Sequence, residues 1–581
     1  MDLRRLIPLA AIALMAAPFL AAPAGAQPPA APAARPAPPP PIVSGPPKSF
    51  KPTMAVPNPT VTGPIAVKGK PGDATHDYPW MSTMHNLAAA GYVEEEFFFD
   101  GTARQFTTGA NPQLSPETAK YRSRILIRRP KDMKKFNGAV LAEWQNVTAG
   151  YDLDAMWNGA FEHITRNGYV WAGITSQRIG VEGNATEKNG LRLWSPARYG
   201  TLNIINDNYS YDIFAQGMQA IKNPKGVNVL GGVTPKTVVA MGASQSAGRL
   251  GTYINSLHPY LGGPVDAYLI MIGGSLMRDD MSVPVFSLYS ETEIRAGAQK
   301  ADTDMYRHWE VAGASHSTRR SAMNSGPLTR RDSAQRPPPA CTYPTWPRVP
   351  MNAVLGAVYD GVSRWAHDGP APAKAPLVQR DAAGPVRDAR GNVLGGIRLA
   401  EFDPAVALNS RDNAGTQFCN LYGRYQPFSD AVIAQLYPTH GAYVSAAKAR
   451  NAANLKAGYI VAADARVSDQ RAEESIFGYG YPCAAACLAG QDLVDSTYFY
   501  LGLDPRRDQF GSRMAGIVRG IAAGDKAGGA AKAAADAKAR RDIEKWVADL
   551  SALAGKGAIS QTILAELGTG ANAVLKGLPA G

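Results

Sequence analysis

The chain has 581 residues, of which 45% are hydrophobic and 8% aromatic, enough apolar material for a large buried core and too much for a disordered or fibrous protein. Sixty Lys and Arg against 48 Asp and Glu give a net charge of +12. These charges are scattered, with no sustained basic tract carrying interleaved aromatics, which argues against nucleic acid as a partner.

Residues 1–26 carry Arg4 and Arg5, then an apolar run from Leu6 to Ala22, then Ala24-Gly25-Ala26. A basic start, an apolar stretch and small residues at the end read as a secretory signal peptide, removed before Gln27. The expected location is therefore periplasmic or secreted, with no stable membrane span after cleavage. The basic character belongs to the mature protein, since only Arg4, Arg5 and Asp2 leave with the signal. Residues 27–48 are dominated by Pro and Ala and predict a stiff, extended linker that cannot build a core.

Folded sequence is expected from about Val56. Tyr92–Gln105 and Tyr121–Arg128 predict extended segments; the Glu94-Glu95-Glu96 run in the first reads as an exposed strand face. After Pro130, strand and helix patterns alternate. Strands are predicted at Ala139–Trp144, Tyr169–Thr175, Thr237–Met241, Ala267–Ile272, Val283–Leu288 and Tyr306–Val311. Helices are predicted at Leu153–Arg166, Tyr209–Ile221 and Ser246–His258. Short apolar strands separated by helices call for a mostly parallel central sheet with helices on both faces, an α/β fold. Beyond His316 the pattern loosens into an irregular segment expected to cover the working edge of the sheet, with residues 56–470 as one domain. Residues 471–581 read as an Ala-rich, partly helical extension, with marginal helix over Ile521–Ala539 and a better one at Arg541–Leu553.

All four cysteines, Cys341, Cys419, Cys483 and Cys487, lie in the C-terminal half, and an even count in an exported chain suits two disulfides. The expected pairs are Cys341 with Cys419 and Cys483 with Cys487. The first pair would staple the cover segment from about Pro327 to Pro350 and onward. No ligand spacing for zinc accompanies them, so no metal is expected.

The strongest chemical signal is Val238-Val239-Ala240-Met241-Gly242-Ala243-Ser244-Gln245-Ser246-Ala247-Gly248. A β-branched strand runs into a serine flanked by small residues, and a helix follows. That is a nucleophile elbow, in which a tight turn holds the hydroxyl up at the end of the strand. Ser246 has similar flanks, but the strand length before Gly242 favours Ser244. A serine needs a base to take its proton and a carboxylate to orient the base. His316 follows the last predicted strand in a small-residue turn, whereas His308, within that strand, reads as a packing or surface residue. The strand before it ends in Ser290-Glu291-Thr292-Glu293, where Glu293 is the favoured acid and Glu291 the alternative. Donors for a developing oxyanion would be the backbone N–H of Gln245 and one from the loop after Ala139–Trp144, at Asn146 or Val147.

Several blocks together resemble the bacterial alpha/beta hydrolase domain-containing proteins that pair an E-W-x-N-V-[ST] loop with an S-Q-[ST]-G-R type elbow. They are GYVEEEFFFDG (Gly91–Gly101), Arg124–Pro130, FNGAVLAEWQNVTAGYD (Phe136–Asp152), YSYDIFAQ (Tyr209–Gln216), Gly242–Leu250, Ser290–Glu293 and WEVAGASH (Trp309–His316). The chain departs by reading S-Q-S-A-G-R, which unsettles the register of Arg249 and not the nucleophile. The resemblance implies an alpha/beta-hydrolase fold and serine ester hydrolase chemistry on Ser244, an acid in Ser290–Glu293, and His316.

The expected function is hydrolysis of a small-molecule or polymer-derived carboxylic ester, without metal or organic cofactor. A lactonase or acyltransferase would carry the same residues. The alternative of a different class is a non-catalytic envelope or carbohydrate-binding protein presenting Trp144, Trp157, Trp171 and Trp194 as a contact surface.

Overall fold

Ten strands pair into a single sheet in the computed structural model, which describes residues 54–579 apart from 108–112, 188, 262, 275–276, 279–280, 297–299, 334–338 and 368. The expected signal peptide and Pro/Ala linker lie outside the described residues. The strands are β1 (Thr60–Thr62), β2 (Tyr92–Phe106), β3 (Leu114–Pro130), β4 (Ala139–Trp144), β5 (Val170–Ile174), β6 (Lys225–Gly226), β7 (Thr237–Ala243), β8 (Ala267–Met271), β9 (Val285–Ser290) and β10 (Tyr306–Val311). Their spatial order is β10-β9-β8-β7-β4-β5-β3-β2-β1-β6.

The run from β10 to β5 is parallel throughout, and β3 and β2 join it as antiparallel strands. Every residue of β4, β5, β7, β8 and β10 is buried, as parallel strands covered on both faces must be. This is why β5, β7 and β8 read as near-continuous apolar runs, while the buried charges of β10 are paired, Arg307 with Asp302 and Glu310 with His308 and Arg380. The observed bounds of the parallel strands agree with the predicted ones to within two residues.

Helices α1 (Ala155–Arg166), α2 (Ser210–Lys222), α3 (Gln245–Thr252), α4 (Arg319–Asp332) and α5 (Met351–Trp365) flank this sheet. The third predicted helix is helical over its whole expected span and on to Leu261, but not as regular α-helix throughout. It passes into a π-helical turn at Tyr253–Leu257 that puts Tyr253, Ile254 and Leu257 in the core.

Two expectations are corrected by burial. The glutamate run on β2 is not an exposed face: Glu96 is wholly buried, held by Arg124 at 3.0 Å, Arg198 at 2.7 Å and the Tyr199 hydroxyl at 2.8 Å. Glu94 takes Arg128 at 2.7 Å, and the Arg128 guanidinium lies over the rings of Trp157 and Trp171. The hairpin is covered where this run lies, so its carboxylates pair with arginines, while the distal end of β3 is largely exposed. Trp144, Trp157 and Trp171 have no exposed surface and Trp194 has 5%, so they fill the core and offer no contact surface.

The cysteines pair as Cys341–Cys419 and Cys483–Cys487, with Cα atoms 5.4 and 5.1 Å apart. The longer helices of the C-terminal part are α6 (His440–Ala457), α7 (Ala462–Glu474), α8 (Ala485–Tyr500), α9 (Arg507–Ala527), α10 (Gly529–Gly555) and α11 (Gln561–Gly577). The Ala-rich stretch is thus fully helical apart from Gly528, whose φ of 68° suits a residue without a Cβ. Packing supplies what composition lacks: Ile521, Ala522, Ile543, Trp546 and Leu550 are wholly buried, and the Trp546 indole N–H donates to the Phe510 carbonyl. Among the described residues no helix is long and apolar enough to cross a membrane.

Candidate active site

Strand β7 delivers Ser244 into a strained turn, with φ 56° and ψ −114°. The turn demands small neighbours. A Cβ on Gly242 would stand 2.7 Å from the Ser246 carbonyl oxygen, a contact that backbone atoms cannot relieve. The hydroxyl of the competing candidate, Ser246, is buried and committed to the turn itself, accepting from the Ala243 N–H and donating to the Ala243 carbonyl, both at 3.0 Å. Ser246 braces the elbow and Ser244 projects from it.

Strands β9 and β10 end in register, Ser290 opposite Val311, so the turns that follow them lie side by side. The Glu291 N–H donates to the Ala314 carbonyl and the His316 N–H to the Thr292 hydroxyl, both at 3.0 Å, which fixes one turn to the other. From this platform His316 reaches both ways. Its Nε2 lies 2.8 Å from Ser244 Oγ and its Nδ1 lies 2.6 Å from Glu293 Oε1. The second carboxylate oxygen of Glu293 accepts from the Ser290 N–H at 3.0 Å and the Ser290 hydroxyl at 2.6 Å. With Nδ1–H given to Glu293, Nε2 is free to accept the serine proton.

Glu291 does not reach the imidazole. It turns into the protein, wholly buried, and pairs with Arg387 at 2.7 Å. Burial raises its pKa, and Arg387 opposes that rise. His308 is buried within β10 against Glu310, at 3.0 Å, in a packing role.

The predicted oxyanion donors divide. Gln245 opens helix α3, so its N–H has no intrahelical acceptor. The Val147 N–H points to the Gln245 side-chain oxygen at 3.3 Å. Asn146 is otherwise engaged: its N–H donates to the Leu153 carbonyl at 3.2 Å and its amide to the Ala243 carbonyl at 2.8 Å. Asn146 therefore ties the loop to the elbow.

Sequence reasoning passed over Ser290 and Thr292, which hold Glu293 and His316 in place. A signal was present, because Ser290-Glu291-Thr292-Glu293 has the S-x-x-E form of a capping box, and the structure forms both of its reciprocal hydrogen bonds. It also passed over Gln177, whose side-chain oxygen accepts from the Gln245 amide at 3.0 Å and from the Trp144 indole at 3.2 Å.

A cavity of about 190 Å³ opens beside Ala243 and His316. The expected cover from Pro327 onward is only partly right: Pro347–Ala353 line the cavity with the first turn of α4, and α1 walls it together with α7 and α8, the last two through Asp464, Arg471, Asp495 and Tyr498. The C-terminal helices thus belong to the site.

Among solved structures, the chain is similar to esterase Est22 at 11% identity, with 36% of this chain and 67% of that one covered and a TM-score of 0.23. It is also similar to a glucuronoyl esterase from Solibacter usitatus at 11% identity, with 42% and 70% covered and a TM-score of 0.19. No curated protein matches. Residues 61–469 match the family described as alpha/beta hydrolase domain, a span covering most of the chain and embracing β1 to β10 and the elbow, and the chain belongs to that family.

Proposed function

We propose that this protein is an exported serine hydrolase that cleaves carboxylic esters through an acyl-enzyme. The observation that carries the reading is the unbroken chain Ser244 Oγ, His316 Nε2, His316 Nδ1, Glu293 Oε1, with links of 2.8 and 2.6 Å across its two hydrogen bonds. The E-W-x-N-V-[ST] loop and the S-Q-S elbow support the same reading.

In this scheme His316 takes the Ser244 proton as Oγ attacks the acyl carbonyl carbon. The carbonyl π electrons move to oxygen, which the N–H groups of Gln245 and Val147 would stabilise. The Gln245 side-chain oxygen must first release the Val147 N–H. One such donor is worth about 2.7 to 4 kcal/mol of barrier. His316 then protonates the departing alkoxide. Water enters, gives its proton to His316, attacks the acyl carbon and releases the acid with Ser244 restored. Glu293 orients the imidazole and stabilises its protonated form throughout.

A lactone substrate or an alcohol acceptor in place of water would use the same steps, and product analysis with and without an added alcohol separates these outcomes. The primary test is release of p-nitrophenol from p-nitrophenyl esters of graded acyl length, alongside aryl and sugar esters, by wild type and Ser244→Ala. The reading requires turnover that Ser244→Ala abolishes; turnover unaffected by that change contradicts it. For export, the mature protein should begin at Gln27 when its N-terminus is sequenced.

A further inference from the structure

The cavity beside His316 is walled by six arginines against four carboxylates. Three of the arginines meet at two aspartates on α8. Arg319 and Arg348 each contact both Asp492 and Asp495, while Arg471 contacts Asp495. Three guanidiniums therefore share two carboxylates. Glu401 stands in the same wall, but burial raises its pKa and its carboxylate accepts a hydrogen bond from the Ser468 hydroxyl at 2.8 Å.

The positive charge here is crowded. Burial, and then the neighbouring Arg348, pull Arg319 down to about 9, the direction expected where like charge is concentrated and under-compensated. Arg348 lies over the Tyr425 ring at 4.8 Å, which holds its planar fork in a set orientation. Its side chain keeps 22% exposure and that of Arg471 33%. Both also border a neighbouring cavity of about 360 Å³ whose other walls include Val406, Phe477, Leu488 and Val518. A ligand extending from His316 through both cavities would pass the Arg348 and Arg471 guanidinium groups, with apolar side chains in both walls.

Arginine forks match carboxylates in a bidentate fashion, and such charge-assisted bonds are about twice as strong as neutral ones. We infer that the ester attacked by Ser244 carries an anionic group, a carboxylate in the simplest form, seated against Arg348 and Arg471. The substrate class is then acidic esters with an apolar body, not neutral acyl alcohols. This rests on the ester-hydrolase reading above.

The experiment compares matched pairs on the full-length mature protein. Phenyl 4-carboxybenzoate against phenyl 4-carbamoylbenzoate places the charge on the acyl side. The anion 4-acetoxybenzoate against 4-acetoxybenzamide places it on the alcohol side. In at least one pair the anionic member is expected to be favoured about tenfold or more in kcat/KM, mainly through KM, as loss of one charge-assisted hydrogen bond would give. Arg348→Gln and Arg471→Gln should bring that ratio to within about twofold of one, and Arg348→Lys, which keeps the charge, should retain part of it. Equal or better turnover of the neutral member in both pairs by wild type overturns the inference, as does a preference that survives both glutamine changes. The wild-type ratios decide the matter even where a variant folds poorly. Ser244-dependent hydrolysis without charge preference removes this inference alone. Absence of any hydrolysis, together with no fluorophosphonate adduct on Ser244, removes the ester-hydrolase reading and the inference with it.

Discussion

Glu291 and Glu293 flank Thr292 on one turn and face opposite ways: Glu293 holds the His316 imidazole at 2.6 Å, and Glu291 is buried against Arg387 at 2.7 Å. Only one of them can orient the base. Replacing Glu293 by Ala should lower kcat by roughly four orders of magnitude with little change in KM, by the precedent of the Ser-His-Asp template. Replacing Glu291 by Ala should spare turnover and lower stability by about 1 to 2 kcal/mol, because Arg387 loses one of its two carboxylate partners and keeps Asp412 at 2.9 Å. Steady-state kinetics and urea melts of the two variants separate these roles.

Ser246 offers a second contrast within one elbow. Its hydroxyl ties the Ala243 N–H and carbonyl together at 3.0 Å each. The Ser246→Ala change should cost about 1 to 3 kcal/mol in stability while the protein stays active, since a buried donor is left unsatisfied. Complete loss of activity in folded Ser246→Ala would reassign the nucleophile.

The two disulfides should contribute unequally. Cys341–Cys419 closes a loop of 78 residues and Cys483–Cys487 one of 4. Chain-entropy arguments assign about 4.5 kcal/mol to the first and about 2 kcal/mol to the second. Calorimetry of the paired Cys→Ser variants should rank them so. Because Pro347–Ala353 line the cavity, loss of the longer link should also raise KM.

His85 makes the fold acid-sensitive. It is buried between Phe161 of α1 and Phe499 of α8, and burial, then Arg320, lowers its pKa to about 3. Below the unfolded value of about 6.5 the unfolded chain binds a proton that the folded chain refuses, so stability falls as pH drops from 6.5 toward 3. Between pH 6.5 and 5 the loss is about 2 kcal/mol. The change His85→Phe should remove that part of the slope, read as the difference in urea midpoint between pH 7 and pH 5.

The parts of the molecule that depend on local pattern were legible in the sequence. Strands β7 and β8 are buried on both faces and betray themselves by apolar runs, and Ser244 by the small residues its turn requires. Glu293 could be preferred only narrowly over Glu291, since the choice depends on which way a turn faces; the S-x-x-E capping box held that information. What escaped depends on partners distant along the chain. Nothing near Glu96 announces Arg198, 102 residues on, so a buried carboxylate passed for an exposed one. The Ala-rich C-terminal helices have little local signal because their stability comes from packing around residues such as Trp546, and their place in the cavity wall depends on the fold of the whole chain.

The central claim is that Ser244, activated by His316, is the nucleophile. Its most direct test is mass-spectrometric peptide mapping after reaction of the folded protein with a fluorophosphonate. A single adduct on Ser244 that disappears in His316→Ala is the result predicted. An adduct on Ser246, or none on Ser244 in folded protein, would contradict it.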